Sequence, residues 1–120
     1  MRELNKGNNK FSCVMVKDEP GQGGACHEYY ICRVDNGDWP VGEFGHVQFQ
    51  NGPVKEFGVN GCHNEDLLAI VVDRLRDFQA GDFSCRENML AIEKIQEALH
   101  WLNHRTSGRI SRGVEGTNEV

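Results

Sequence analysis

The stretch that decides the fold covers residues 64–104 and reads NEDLLAIVVDRLRDFQAGDFSCRENMLAIEKIQEALHWLNH. Its apolar side chains recur at intervals of three and four residues, the period of an amphipathic helix. They form two stripes of matched length, Leu68, Val71, Leu75 and Phe78 in the first and Ile92, Ile95, Leu99 and Leu102 in the second. Because only a few residues join the stripes, the two helices are expected to fold back as an antiparallel hairpin.

Local signals predict where both helices begin and end. Asn64 is the expected cap of the first helix, which ends at a Gln-Ala-Gly-Asp turn. Ser84 and Glu87 have the spacing of a capping box, in which each side chain binds the other's backbone amide, and they open the second helix. This helix is expected to reach at least residue 104. Gly108 then either frays it or is tolerated at a cost of about 1 kcal/mol.

The part of the chain before residue 60 has the pattern of short strands and turns. Residues 11–16 and 29–34 are rich in β-branched and aromatic side chains, and a turn signal follows at 35–38. Residues 46–50 and 54–59 flank an Asn-Gly-Pro turn, which predicts a hairpin of two strands. A small antiparallel sheet of three to five strands is therefore expected.

Together these patterns predict an α+β fold, with a small N-terminal antiparallel β-sheet followed by a long antiparallel C-terminal helical hairpin. One domain over residues 1–120 is expected, with a loose N-terminus at 1–10, the sheet at 11–60, the hairpin at 62–112 and a tail at 113–120. Further apolar side chains lie off the two stripes, so a lone hairpin cannot bury both of its faces. We therefore expect an oligomer.

Composition limits the classes of partner. The net charge of −5 and a pI near 5.5 disfavour DNA, RNA and anionic membranes as partners. The N-terminus is polar, and no apolar run approaches the roughly 20 residues of a membrane-spanning helix, so a cytosolic protein is expected. Five cysteines without paired spacing indicate reduced thiols rather than a disulfide framework.

Three arginines near the end of the chain stand out against this acidic background. Arg105, Arg109 and Arg112 recur at four- and three-residue spacing, which stacks them along one face if the second helix continues through them. The planar guanidinium fork suits phosphate, so the spacing indicates a local pocket for a phosphorylated ligand. A solvated helix end is the alternative interpretation, because cations are favoured at a helix C-terminus.

Several short motifs occur together in the second half of the chain. They are FGVNG at 57–61, EDLL at 65–68, RL at 74–75, FQAG at 78–81, REN at 86–88, EAL at 97–99, and the run from Arg105 through Arg109 to VEG at 114–116. Taken together, these motifs resemble the phage anti-Thoeris sponge proteins of the first described type, whose helical hairpin is also similar to that of the phage anti-CBASS sponges.

This resemblance implies a protein without catalytic activity that acts in the cytoplasm of the infected bacterial host. Neither a cofactor nor a metal is expected. Members sequester glycocyclic ADP-ribose made by TIR-domain proteins, and some also bind the cyclic di- or trinucleotides of CBASS. They form homodimers, commonly three of them in a homohexamer. Carried over by position, Phe78 would stack on the adenine, Asn88 would hydrogen-bond the ligand, and Arg105 and Arg109 would hold the pyrophosphate.

Helix geometry restricts how these four residues can meet. Asn88 and Arg105 are 17 residues apart on one predicted helix, a separation of about 25 Å, and Phe78 stays near Asn88 at the loop end of the hairpin. Two protomers packed antiparallel would bring the two halves together twice. From the pattern alone, Phe78 also fits a core position and Asn88 a plain surface position.

Other functions remain open at this stage. A small nucleotide-processing enzyme is the main alternative, with arginines as ligand-binding groups and an acid or base chosen from His27, His46, His63, His100 and His104. A protein-binding module is the third alternative. Zinc binding by the cysteine and histidine pairs near residues 26 and 62 is disfavoured, because no Cys-x-x-Cys motif is present.

Overall fold

The computed structural model describes residues 1–34 and 40–120, so the turn predicted at 35–38 lies outside the described residues. The chain divides into two compact units, Met1–Cys62 and His63–Val120, and each is described by itself. The first unit contains the sheet and the second contains the long helices. This confirms the predicted α+β fold class. The expectation of one domain stays a prediction.

The first unit is built around a four-stranded antiparallel sheet whose strands lie in chain order. The strands are β1, Arg2–Glu3; β2, Ser12–Val16; β3, Glu28–Val34; and β4, Pro40–Gln48. Cys13, Met15 and Cys32 form its buried cluster, in which Cys13 and Cys32 are direct cross-strand partners. Burial raises the pKa of the Cys32 thiol above its ordinary value, as expected for a thiol in an apolar cluster.

The prediction that residues 1–10 form a loose terminus is wrong for β1. Arg2 pairs with Val16 and Glu3 with Met15. The main chain of β2 offers hydrogen-bonding groups along its outer edge, and any residue with a backbone can pair with them. Such pairing leaves no trace in side-chain periodicity, so the sequence pattern did not indicate it.

The predicted hairpin between residues 46–50 and 54–59 is also wrong in its second half. Val54–Phe57 is a single helical turn, α1, preceded by Pro53 and ended by Gly58 at a φ of 71°. Pro53 has no N–H for a strand ladder and its ring fixes a φ suited to a helix start. Side chains of Gln50 and Asn60 bind the loop backbone instead, for example from Gln50 Nε2 to Gly58 O at 2.8 Å.

The second unit is the predicted antiparallel helical hairpin. Helix α2 covers Asn64–Ala80 and helix α3 covers Arg86–Ser111, with a short loop between them, and the two helices pack together. Gly108 lies inside α3, which therefore continues through it at a cost of about 1 kcal/mol relative to alanine. Within the described ranges, no helix is long and apolar enough to span a bilayer.

Both predicted helix caps are wrong in detail. His63, not Asn64, caps α2, and its backbone N–H donates to the Asp66 carboxylate at 2.9 Å. Cys85 caps α3 without a side-chain hydrogen bond, and its N–H donates to Gln79 Oε1 at 2.9 Å. The Ser84–Glu87 capping box is absent because α3 begins one residue later than predicted, which places Glu87 at the second rather than the third helical position.

One position of the predicted apolar seam shifts as well. Val72 is 3% exposed, whereas Val71 is 44% exposed. A straight α-helix advances 3.6 residues per turn rather than 3.5, so a stripe starting at Leu68 reaches Val72. Other large apolar side chains of this unit are also exposed, among them Ile70, Phe83, Met89, Trp101 and Ile110. The predicted oligomer, which would cover such side chains, stays a prediction.

Candidate functional site

The C-terminal end of α3 forms a pocket of about 300 Å³ within the second unit. Its lining comprises His104, Arg105, Gly108, Arg109, Arg112 and Val120. All three arginines singled out in the sequence contribute to it, because α3 remains helical to Ser111. The helix therefore delivers the expected cationic face, but the three guanidinium groups have different environments.

Arg109 is buried, with 8% of its surface exposed, and it holds the segment that follows α3. Its Nη1 donates to Glu119 O at 2.7 Å, and its Nη2 donates to Val114 O at 2.9 Å and Thr117 O at 3.2 Å. Its Nε also lies 3.3 Å from Glu115 Oε2, a buried oxygen in ion-pair contact but without a hydrogen bond among the described groups. We call residues 114–119 the tail loop.

The other two arginines are exposed at the pocket wall. Arg112 donates from Nη2 to Val120 O, and it also caps α3 at its C-terminal end. In the described part of the chain, no protein group accepts a hydrogen bond or forms an ion pair with the Arg105 guanidinium. Because Glu115 offsets the charge of Arg109, Arg105 is the cation of the pocket with the fewest partners among the described residues, and Arg112 shares its guanidinium with Val120 O.

The remaining predicted site residues lie at the opposite end of the hairpin. Phe78 ends the apolar stripe of α2 and is half-buried, with the Arg74 Cζ atom 4.9 Å from its ring centroid. Asn88 lies in the first turn of α3, and its Nδ2 donates to Phe83 O at 3.3 Å. Both side chains therefore border the loop between the helices.

The structure places these four residues in two separate pairs, one at each end of the hairpin. Asn88 and Arg105 belong to the same helix, α3, and 17 residues of helix separate them by about 25 Å. Within one chain, Phe78 and Asn88 therefore cannot contact a ligand the size of one nucleotide that Arg105 holds. The separation expected from the sequence is present, and the assembly that would bridge it stays a prediction.

An aromatic cluster beside the pocket was not identified from the sequence. Trp101 and His104 contact edge to face at 5.7 Å between ring centroids, and His100 contacts both rings. Trp101 is 59% exposed, and His104 also lines the arginine pocket. The i, i+3 spacing of Trp101 and His104 followed by Arg105 was the available signal, since such neighbours share a helix face.

A second titratable cluster lies on the sheet of the first unit. His46 Nε2 lies 2.7 Å from Glu28 Oε2, and the His46 ring stacks on Tyr30 at 4.5 Å. Lys17 Nζ donates to the Tyr30 hydroxyl at 3.0 Å, and this hydrogen bond, with the nearby Glu28 carboxylate, raises the pKa of Lys17. These contacts satisfy one another on an exposed surface.

The candidate zinc ligands do not gather in the described structure. His27 Nε2 lies 2.9 Å from Gln22 O, and Cys26 Sγ donates to Asp18 O at 3.4 Å. Among residues 1–34 and 40–120, no three His, Cys, Asp or Glu side chains are arranged to hold a metal ion.

Comparison with known proteins places the helical hairpin in a family. The family described as "Acb2/Tad1, hairpin domain" matches residues 43–107, more than half of the chain. The chain belongs to the Acb2/Tad1 hairpin family. This match contains Phe78, Asn88 and Arg105 and stops before Arg109, Arg112 and the tail loop.

A related phage protein is similar over a longer stretch of the chain than the family match. The protein named "Thoeris anti-defense 1" from Bacillus phage SBSphiJ7 is 58% identical over 79 residues, which cover 66% of this Acb2/Tad1 chain. The same alignment covers 56% of the phage protein, so this chain matches little more than half of its relative's length.

Proposed function

We propose that this chain is a phage anti-defence protein that counteracts Thoeris by binding its cyclic ADP-ribose-type signal and withholding it without cleavage. The observation that carries the proposal is the 58% identity to a phage protein named Thoeris anti-defense 1. The proposed ligand is glycocyclic ADP-ribose, captured in the cytoplasm of the infected host. Cyclic di- or trinucleotides of CBASS are proposed as further ligands, in view of the shared Acb2/Tad1 hairpin.

The arginine pocket supports an anionic ligand. The chain has a net charge of −5, so an anion is attracted only where cations are concentrated, and Arg105 and Arg112 are exposed at such a place. A charge-assisted hydrogen bond to a diphosphate contributes about 1.5 to 3 kcal/mol, and stacking of an aromatic ring on adenine contributes about 1 to 3 kcal/mol. Two such bonds with stacking and enclosure approach the 12 kcal/mol of roughly nanomolar affinity.

The proposed ligand contacts are Phe78, Asn88, Arg105 and Arg109. Phe78 stacks on the adenine and Asn88 donates to the ligand, while Arg105 offers its exposed guanidinium to the pyrophosphate. Arg109 already directs three N–H groups at tail-loop carbonyls and its Nε at Glu115, so one of its five N–H groups remains for the ligand.

The proposed site is shared between two copies of the chain. About 25 Å of α3 separates Asn88 from Arg105, so one copy supplies the stacking half and its antiparallel partner supplies the arginine half. A homodimer contains two such sites, and we propose a trimer of dimers as the full assembly. The exposed apolar side chains of the hairpin, Ile70 at 65% and Met89 at 55% among them, are available to such contacts.

Recovery of the ligand tests sequestration directly. The protein is incubated with glycocyclic ADP-ribose, freed of unbound ligand, denatured by heat, and the supernatant is separated by chromatography. Sequestration predicts intact ligand in a fixed ratio to protein. A new product in the supernatant would refute it, and an empty supernatant would refute nucleotide binding altogether.

Mixed dimers test the shared site. One variant carries Arg105→Ala with Arg109→Ala and the other carries Phe78→Ala with Asn88→Ala. Neither variant should bind the ligand alone. In a dimer that contains one copy of each variant, one of the two sites receives both intact halves, so binding should recover at up to half of the sites. Native mass spectrometry verifies the exchange. Absence of recovered binding in verified mixed dimers would show that the site lies within one chain.

A nucleotide-processing enzyme is the second candidate, favoured by one observation. His104 lines the same pocket as Arg105, so an imidazole is within reach of a bound phosphate group. An enzyme predicts a product in the chromatography experiment and loss of that product in a His104→Gln variant. Sequestration predicts that His104→Gln returns the same intact ligand.

A further inference from the structure

Gly108 is a helix-interior glycine that packing within the chain does not require. It lies in the last two turns of α3 at a negative φ, and a Cβ built on it meets no atom within 4 Å. Glycine at such a position destabilises a helix relative to alanine, because it loses more backbone entropy on folding. A residue without a side chain at this point therefore serves something other than the stability of α3.

The residues around Gly108 indicate the role of this glycine. Gly108 is part of the lining of the arginine pocket, with Arg105 three residues before it and Arg112 four residues after it. Residues at these spacings share one helix face, so the missing side chain leaves a gap between two guanidinium groups. His104, four residues before Gly108, closes the pocket on the side of the Trp101 ring.

We propose that Gly108 is the floor of a phosphate-binding site and limits which anions can enter, with Arg105 and Arg112 as its two cationic walls. Phosphate suits this gap because Arg105 and Arg112 both line it beside a bare stretch of helix, and Arg112 keeps further N–H groups besides the one that donates to Val120 O. The inference adds Gly108 and Arg112 to the contacts of the proposed function and rests on that function for its nucleotide ligand. A bare diphosphate tests it independently of that ligand.

The tail loop gives this site its shape. Arg109 lies on the neighbouring flank of α3 and directs its donors at Val114 O, Thr117 O and Glu119 O. It therefore holds the tail loop beside the pocket in addition to the one N–H group that it offers the ligand, while Arg105 and the remaining N–H groups of Arg112 face the anion.

The decisive variants are Gly108→Ala and Gly108→Leu in the full chain, with Ser107→Ala as the matched control on the exposed helix surface. The probe is inorganic pyrophosphate, titrated at constant ionic strength against ¹⁵N-labelled protein, with the Arg Nε–H and residue 108 amide signals as readouts. Thermal unfolding and the solution mass of each variant are measured in parallel.

The expected result separates stability from binding. Gly108→Ala should raise the unfolding midpoint by about 3 to 6 °C, because alanine favours the helix and its methyl group meets open space. The same variant should bind pyrophosphate roughly tenfold more weakly, the equivalent of one lost charge-assisted contact, and Gly108→Leu should show no saturable binding. Ser107→Ala should match the wild type in pyrophosphate affinity.

Three results would overturn the inference. They are wild-type protein that does not respond to pyrophosphate, a Gly108→Leu variant that binds it as tightly as the wild type, or a change of assembly mass in Gly108→Ala. The last result would assign the gap to a contact between copies of the chain. If the glycine variants behave as expected but wild-type protein retains no glycocyclic ADP-ribose, the phosphate site stands and the proposed function fails.

Discussion

Replacing Arg109 by alanine should release the tail loop while leaving the helical hairpin folded. Arg109 is 8% exposed and donates three hydrogen bonds of 2.7 to 3.2 Å to backbone oxygens of the tail loop. The tail loop has few apolar contacts to replace them, since Val114 is its one large apolar residue. Arg105→Ala is the matched control, because Arg105 lies on the same helix with an exposed side chain.

The size of the effect follows from these contacts. A hydrogen bond from a charged donor is worth about 1.5 to 3 kcal/mol, but a released loop recovers part of this through water, so about 1 kcal/mol per bond is a reasonable net value. Three bonds then hold the tail loop by about 3 kcal/mol, which corresponds to roughly a 100-fold change in its opening equilibrium. The Glu115 contact adds little, because 43% of that side chain is exposed.

Hydrogen exchange measures this opening. The informative amides are those of Val114, Thr117 and Glu119, which donate to Arg109 O, Val114 O and Thr117 Oγ1 respectively. Arg109→Ala should reduce their protection toward that of an unstructured chain, whereas amides in the middle of α3 should keep theirs. In Arg105→Ala all of these rates should stay as in the wild type.

Unchanged exchange of these three amides in Arg109→Ala would refute the role given to Arg109. The result also affects how binding data are interpreted. If the tail loop opens, lost ligand binding in Arg109→Ala reports both a direct contact and the altered pocket wall. Glu115→Gln keeps the three hydrogen bonds from Arg109 to the tail-loop carbonyls. Comparison with this variant therefore separates the effect of opening the tail loop from the effect of losing the Glu115 charge.

Three further substitutions test two packed positions, Val72 and Gly61, and one charged group, Asp18. Val72→Ala should lower the free energy of unfolding by about 1.5 to 3 kcal/mol in chemical denaturation, whereas Val71→Ala, at a 44% exposed position, should change it by less than about 0.5 kcal/mol; equal effects would refute the shifted seam. Gly61→Ala would place a Cβ 2.4 Å from a backbone carbon at the end of β4 and should cost roughly 1 to 3 kcal/mol, while Gly42→Ala meets no atom and should be nearly neutral. Asp18 accepts backbone hydrogen bonds at the start of β3, which lower its pKa, so it stabilises the fold above its unfolded pKa of about 4 and this contribution disappears as pH falls through the lower folded value. Asp18→Asn should therefore flatten the acid side of a stability-against-pH curve, and an unchanged slope would contradict this.

The helical hairpin was predictable because helices arise from local contacts. Apolar spacing located α2 and α3 and carried α3 to at least residue 104, whereas its continuation through Gly108 to Ser111 came from the structure. The caps were not predictable at the same level, because each helix begins one residue away from the position that the local rule indicates. Gln79 reaches the Cys85 amide from the preceding helix, whereas the local capping-box rule pointed to Ser84.

The antiparallel sheet was predicted, but its edge strand β1 was not, and the last predicted strand is the helical turn α1. β2 and β3 followed from their β-branched and aromatic residues. β1 and the helical turn α1 depend on backbone pairing and on where Pro53 and Gly58 bend the chain. Neither leaves a periodic side-chain signal.

The sequence by itself determined the two helices, the matched length of their apolar stripes and the separation of Asn88 from Arg105, because each depends on spacing along a helix. It also determined membership of the Acb2/Tad1 hairpin family, since identity is a property of the sequence. Only the tertiary structure decided what each arginine does. Arg109 faces three backbone oxygens of a loop that turns back on the helix, and backbone oxygens are the same in every residue. Three arginines that look equivalent in the sequence therefore differ in the structure. Arg109 is buried and binds the tail loop, whereas Arg105 and Arg112 are exposed.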